Sequence, residues 1–159
     1  MPIIIQYSLL TVYQKSLIFG PPAYLPSDVK KLSMSLQPIW NIFSGGDIPK
    51  PLAGSGTACD VRDVARLFVF AADHPDKADG ERYNVVSGIA HPQAITDVLR
   101  EGFPERSAVI QVGQPGVGYP KSLWNNRIDG SKAVRATGED YVNFKESIID
   151  TARALTPYL

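Results

Sequence analysis

The chain has 159 residues, of which 44% are hydrophobic and 20% are charged, as is usual for a globular protein rather than a disordered one. Its 16 basic and 16 acidic residues cancel, which argues against a dedicated surface for nucleic acid or anionic membranes. The length is sufficient for one hydrophobic core, so residues 1–159 are expected to form a single domain.

The apolar N-terminus does not have the pattern of a signal peptide. Met1–Tyr13 lacks a basic start, Gln6 and Tyr7 interrupt the apolar run, and no Ala-x-Ala cleavage site follows. The run is also far shorter than the roughly 20 apolar residues that span a bilayer. The single cysteine, Cys59, permits no internal disulfide and suits a reducing compartment. We therefore expect a cytoplasmic protein with no membrane partner.

The first third of the chain predicts strand followed by an interrupted helix. Residues 3–19 are rich in apolar β-formers and predict one or two strands, which Gly20-Pro21-Pro22 ends. Apolar residues then recur at helical spacing over Ser27–Phe43. Pro38 lies inside this pattern and should kink or split the helix, and Gly45-Gly46 should end it.

The rest of the chain alternates short strands with helices, a pattern typical of an α/β fold. The predicted strands are Thr57–Cys59, Glu81–Val86, Ser107–Val112 and Asn126–Ile128. The predicted helices run from an N-cap at Asp60 or Asp63 to His74, from Pro92 to Glu101, from Asp129 to Gly138 and from about Tyr141 to Leu155.

Five short motifs follow one another along the chain: Ile18-Phe19-Gly20-Pro21-Pro22, Asp60–Arg66, Gly80–Val85, Gln93–Leu99 and Ile128–Ala133. In this order they resemble the second half of the extended short-chain dehydrogenases/reductases, in particular the dihydroflavonol-reductase-like and fungal-type ketoreductases. The resemblance implies an α/β fold with a partial Rossmann-like, doubly wound sheet and a substrate-binding lobe. Residues 1–26 would then supply residual strands and a loop, and residues 27–159 the lobe and C-terminal sheet elements.

The resemblance also implies NADP as cofactor and hydride transfer between NADPH and a carbonyl or secondary alcohol. In that family a tyrosine with a lysine four residues later supplies the proton, and a Gly-rich turn holds the pyrophosphate. Here Tyr141–Lys145 alone has this spacing, and its place near the C-terminus favours a solvated helix pair. Gly113–Gly118 has the wrong glycine spacing and predicts a plain loop. We therefore expect no catalytic residue and poor binding of NADP.

Substrate-facing residues are implied by the resemblance in two variable loops and in the first helix. Aromatic and apolar side chains there suit a medium-sized aldehyde, ketone or alcohol. Arg62 has two interpretations: a salt bridge with Asp60 or Asp63, or an anchor for a phosphate or carboxylate. Both histidines are isolated from other metal-ligating residues in sequence, so no metal site is expected. The candidate substrate-binding residues are Phe19, Gly20, Pro21, Tyr24, Trp40, Arg62, Tyr119 and Trp124.

Three hypotheses follow from these observations. The first is a truncated protein that resembles oxidoreductases acting on the CH-OH or carbonyl group of a small molecule. Alone, this protein would not be catalytic. The second is a non-redox binding protein or accessory subunit in a homo- or hetero-oligomer, because a severed sheet exposes an unpaired strand edge. The third is a gene-model fragment of a full-length reductase.

Overall fold

The computed structural model describes residues 16–51, 56–117 and 128–159. In these ranges strand β1 (Ser16–Phe19) pairs in parallel with strand β2 (Thr57–Asp60), with Ser16 opposite Thr57 and Phe19 opposite Asp60. The α-helices of the described ranges are α1 (Leu36–Phe43), α2 (Val61–Asp73), α3 (Pro75–Ala78), α4 (Pro92–Gly102), α5 (Ser131–Thr137) and α6 (Phe144–Leu155). Short 3-10 turns lie at Val29–Lys31, Pro104–Arg106 and Thr156–Tyr158.

Helices cover both faces of the sheet, because side chains of a strand alternate between its two sides. Phe19 and Ala58 belong to a buried cluster with residues of α1, α4 and α6. Ile18 and Cys59 face a second cluster, which includes residues of α2, α3 and α5. The predicted α/β class with a Rossmann-like parallel sheet is thereby confirmed.

Helix α2 begins where the sequence pattern places it. Asp60 is the N-cap, and its carboxylate accepts a hydrogen bond of 2.8 Å from the Arg62 backbone N–H. The buried face of the helix includes Val64 and Leu67. The helix ends before Pro75, since the residue preceding a proline is disfavoured in the α region.

The predicted Ser27–Phe43 helix is split, but not at the proline. Asp28 caps the Val29–Lys31 turn, and α1 starts only at Leu36. Pro38 is the third residue of α1, where its missing N–H removes no intrahelical bond because the first four amides have no acceptor in the helix. The break therefore lies at residues 32–35.

Several predicted boundaries and strands are wrong. Glu81–Val86 forms no strand; the nearest pairing is a single antiparallel bridge in which the Ala58 amide donates to the Gly88 carbonyl at 2.8 Å. Ser107–Val112 is a turn over residues 107–109 followed by irregular backbone, and residues 126 and 127 lie outside the described ranges. In Glu81–Val86 the side chains of Tyr83 and Val85 are buried alternately without a ladder, whereas in Ser107–Val112 only Ile110 is buried. None of the described helices is long and apolar enough to cross a membrane.

The last helix begins at Phe144 rather than near Tyr141, because Asn143 acts as its N-cap. The Asn143 side-chain oxygen accepts a hydrogen bond of 2.9 Å from the Glu146 backbone N–H. Tyr141 therefore lies in the segment before the helix.

Candidate functional site

A cavity of about 530 Å³ opens beside α1 and falls within the size range of small-molecule sites. Its walls come from β1, the Val29–Lys31 turn, α1, the segment after α1 and the start of α4. The apolar lining residues are Leu17, Val29, Met34, Pro38, Trp40, Pro49, Ala90, Pro92 and Ile95, and the polar ones are Lys30, Gln37, Asn41 and Lys50. A mainly apolar enclosure with a few polar groups suits a small organic molecule.

Trp40 is held in place at this cavity by the C-terminal residues. Its ring packs edge-on against Tyr158, with ring centroids 5.7 Å apart. The Tyr158 hydroxyl in turn donates a hydrogen bond to the Pro26 carbonyl. Trp40 is thus the one candidate residue, among those the structure describes, that lines the cavity.

The candidate residues at the end of β1 and just after it lie away from the cavity. Phe19 is buried in the core, where its ring packs edge-on against Phe144 at 6.4 Å. Pro21 is half-buried, and Tyr24 is 80% exposed. None of these three residues lines the cavity.

Gly20 is fixed by contacts rather than presented to a ligand. Its amide donates a hydrogen bond of 2.8 Å to the Thr151 hydroxyl. Its φ is +111°, and an added Cβ would lie 2.7 Å from Cγ1 of Val61. Only glycine therefore allows the chain to leave β1 so close to the start of α2.

Of the two interpretations of Arg62, the structure has the salt bridge with Asp60. It adds a second partner, Asp150, that the sequence did not indicate. Its Nε and Nη2 atoms donate to Asp60 at 2.8 and 3.0 Å, and Nη1 donates to Asp150 at 2.9 Å. The guanidinium is therefore occupied by two carboxylates. Burial alone would raise the pKa of Asp60, but hydrogen bonds from Arg62 outweigh it and hold that pKa below its usual range.

Asp63 joins α2 to the segment before α6. It is almost fully buried, and its oxygens accept from the Val142 amide at 3.2 Å and from Arg66 at 2.9 Å. Burial nevertheless raises the pKa of this carboxyl above its usual range. Arg66 also reaches Glu139 at 2.7 Å, so this group ties two parts of the fold together.

Tyr141 and Lys145 bind different partners. The Tyr141 hydroxyl lies 2.8 Å from the Gly130 carbonyl and 2.9 Å from that of Asn84, and burial raises its pKa to about 12. Lys145 Nζ pairs with Glu101 Oε1 at 2.5 Å. A catalytic phenol requires a lowered pKa. The predicted solvated helix pair is wrong, because Tyr141 is half-buried before the helix and the two side chains bind different partners.

The glycine-containing loop does not fit a dinucleotide pyrophosphate. Gln93 of α4 donates to the Val112 carbonyl at 3.0 Å and accepts from the Gln114 amide at 2.9 Å. The Gly116 amide donates to the Asp97 carboxylate at 3.1 Å. These amides are bound to α4, and a carboxylate lies where phosphate would have to approach. In the described part of this loop, the Gln114 and Gly116 amides are therefore not free to bind a pyrophosphate.

The remaining candidates, Tyr119 and Trp124, lie outside the described residues. Burial raises the pKa of the Cys59 thiol to about 12, which leaves it protonated at neutral pH. Across the three described ranges, no group of three or more metal-ligating side chains is placed to hold an ion.

Sequence reasoning missed most of the cavity. Lys30 and Lys50 belong to no motif, and Ala90 and Ile95 have only the pattern of core residues. The cavity lies between α1 and the start of α4, which are some fifty residues apart in sequence. No local signal records such a gap. The single usable sign was an aromatic residue, Trp40, on a helix next to a proline.

The chain is similar to known reductases over nearly its whole length. It is 30% identical over 150 residues to the NADPH-dependent methylglyoxal reductase GRE2 of Saccharomyces cerevisiae, a match that covers 94% of this chain and 43% of that protein. No family model matches the chain.

Solved structures agree. Gre2 from Candida albicans superposes with a TM-score of 0.78 at 28% identity, covering 98% of this chain and 46% of that one. Yeast methylglyoxal/isovaleraldehyde reductase Gre2 complexed with NADPH gives a TM-score of 0.73 at 26% identity, covering 95% and 43%. The predicted resemblance to the extended short-chain dehydrogenases/reductases is therefore confirmed, and the chain spans less than half the length of the reductases that it matches.

Proposed function

We propose that this chain forms a pocket for a medium-sized aldehyde or ketone in an NADPH-dependent reductase, and that it does not transfer hydride by itself. The observation that supports the pocket is the largely apolar cavity of about 530 Å³ that Trp40 lines beside α1. Such an enclosure removes apolar ligand surface from water, which favours binding by roughly 25 cal/mol per Å² buried. The similarity to a methylglyoxal reductase supports a carbonyl compound as the ligand.

The second part of the proposal depends on what the described residues are bound to. Tyr141, the one tyrosine with a lysine four residues later, is bound to backbone carbonyls and has a raised pKa. Arg62 and the amides of the loop after α4 are occupied by the chain's own acceptors. A reductase loses several orders of magnitude in rate without a positioned proton donor.

Calorimetric titration with methyl 5-oxohexanoate, a neutral methyl ketone, tests the pocket. We expect saturable binding by the wild-type chain and its loss in Met34→Trp, because Met34 is an exposed residue that lines the cavity. Val69→Trp is the matched control, since Val69 is also exposed but lies on α2 and does not line it. Equal binding by both variants would show that the ketone binds elsewhere, and absence of binding by the wild-type chain would refute the pocket.

Hydride transfer is tested in the same samples by adding NADPH and following its absorbance. We expect no oxidation above the rate seen without protein, and the same result for Tyr141→Phe. Ketone-dependent oxidation that Tyr141→Phe abolishes would contradict the structural role assigned to this tyrosine.

A further inference from the structure

Two lysines line the otherwise apolar cavity, and neither is neutralised. Lys30 comes from the turn before α1, and Lys50 from the segment that follows α1. Neither ammonium group forms an ion pair with a described residue. No acidic residue is among the described residues that line the cavity. The cavity therefore has positive charge without a counter-charge of its own.

The other polar side chains of the lining are already used as donors. The Gln37 amide donates to the Leu32 carbonyl at 3.0 Å. The Asn41 amide donates to the Asp47 carbonyl. Each of these amides already donates one hydrogen bond within the chain, and Lys30 and Lys50 are the charged donors among the described residues of the lining.

The nearest acidic residues in sequence are engaged elsewhere. Asp28 accepts a hydrogen bond from the Lys30 backbone N–H at 2.9 Å as the cap of the turn. Asp47 accepts from the Gln111 side chain at 3.0 Å. Both carboxylates lie outside the cavity lining, so they do not occupy the space in which a ligand would meet the two ammonium groups.

We infer that the cavity selects carbonyl compounds that have a carboxylate, with the apolar body against Trp40 and Ile95 and the carboxylate at Lys30 and Lys50. This inference rests on the proposed function, because it names the ligand class of the same pocket. The chemistry is complementary: an apolar surface takes a short carbon chain, and two ammonium groups take one carboxylate. Exposed ammonium groups give a modest preference, which salt screens.

The experiment compares 5-oxohexanoate with its methyl ester, which have the same carbon chain and differ in charge. Calorimetry at low ionic strength should show the acid binding about three- to tenfold more tightly than the ester. Combined substitution Lys30→Gln and Lys50→Gln should remove this preference and leave the affinity for the ester unchanged. Lys31→Gln is the matched control, because Lys31 belongs to the same turn but does not line the cavity.

The outcomes separate the two proposals. Binding of the ester with no gain for the acid would overturn the inference and leave the carbonyl pocket standing. A preference for the acid that persists in the double variant, or that Lys31→Gln removes equally, would also overturn it, since the charge would then act from elsewhere. If neither compound binds, both proposals fail together.

Discussion

The polar cluster at the carboxyl ends of the two strands and the cavity beside α1 use their charges in opposite ways. In the cluster, Asp60, Arg62 and Asp150 neutralise one another, and Thr151 binds the Gly20 amide. In the cavity, the two lysines have no such partners. The cluster contains the residues that the family motifs single out. A charged motif can therefore mark residues that stabilise the fold. The charges that remain available to a ligand belong to Lys30 and Lys50, which lie outside the motifs.

Asp60→Ala should give the largest change, because it removes both the α2 cap and the buried partner of Arg62. Because Arg62 is partly exposed and keeps Asp150, the loss comes from the cap and the charge-assisted hydrogen bonds and should be about 2–4 kcal/mol. Asp60→Asn keeps a capping side chain and should cost less, about 1–3 kcal/mol. Urea denaturation measures both free energies of unfolding.

Asp150→Asn is the control for this comparison. Asp150 is a quarter exposed and contacts a part of Arg62 that reaches solvent, so we expect a loss of at most about 1 kcal/mol. Equal losses for Asp60→Ala and Asp150→Asn would show that the burial of Asp60 does not stabilise the fold, and the cluster would lose its structural interpretation.

Thr151→Val tests the second stabilising contact of the cluster, the hydrogen bond from the Gly20 amide to the Thr151 hydroxyl. It replaces the hydroxyl that accepts from the Gly20 amide and that donates to the Ser147 carbonyl at 2.6 Å. A buried donor left without an acceptor costs about 1–3 kcal/mol. Thr151→Ser should recover most of this loss in urea denaturation. Equal stability of Thr151→Val and the wild-type chain would show that the hydrogen bond from the Gly20 amide does not stabilise the fold.

The sequence predicted the parts of the fold that depend on local signals. The Asp60 cap, the ordered motifs and the alternation of elements were enough to predict the α/β class and α2. Glu81–Val86 was mistaken for a strand because Tyr83 and Val85 are buried alternately without a ladder beside them. Burial and strand pairing produce the same alternation, so a single sequence does not distinguish them.

The site was less predictable than the fold. A salt bridge of Arg62 with Asp60 or Asp63 was one of two interpretations, and the structure has Asp60 together with Asp150, which is 88 residues away and is placed by tertiary packing. The cavity is a gap between helices, and its lysines are ordinary surface residues in the sequence. Trp40 was named for its residue type, since aromatic side chains commonly line small-molecule pockets, and it is part of the cavity lining.

The smallest expected effect is on how the free energy of unfolding depends on pH, because the pKa values of the two buried carboxyls, Asp60 and Asp63, are shifted in opposite directions. The pKa of Asp60 is lowered in the folded state, so its contribution to stability is present above its unfolded pKa and is lost as pH falls through the folded value. The pKa of Asp63 is raised, so its contribution is present below its unfolded pKa and is lost as pH rises through the folded value. The Asp60 contribution therefore changes with pH below the ordinary aspartate pKa, and the Asp63 contribution changes above it.

Asp63→Asn removes the titration of this carboxyl. Above the ordinary aspartate pKa, the free energy of unfolding should then rise more steeply with pH than it does for the wild-type chain, and Asp60→Asn should make the rise below that pKa shallower. Urea denaturation at several pH values gives the slopes, and the other titrating groups cancel in the comparison. A slope unchanged by Asp63→Asn would mean that its bonds from Val142 and Arg66 balance its burial, leaving its pKa near the ordinary value. Asp63 would then match Asp60 as a satisfied carboxylate, and the contrast between the cluster and the cavity would be sharper still.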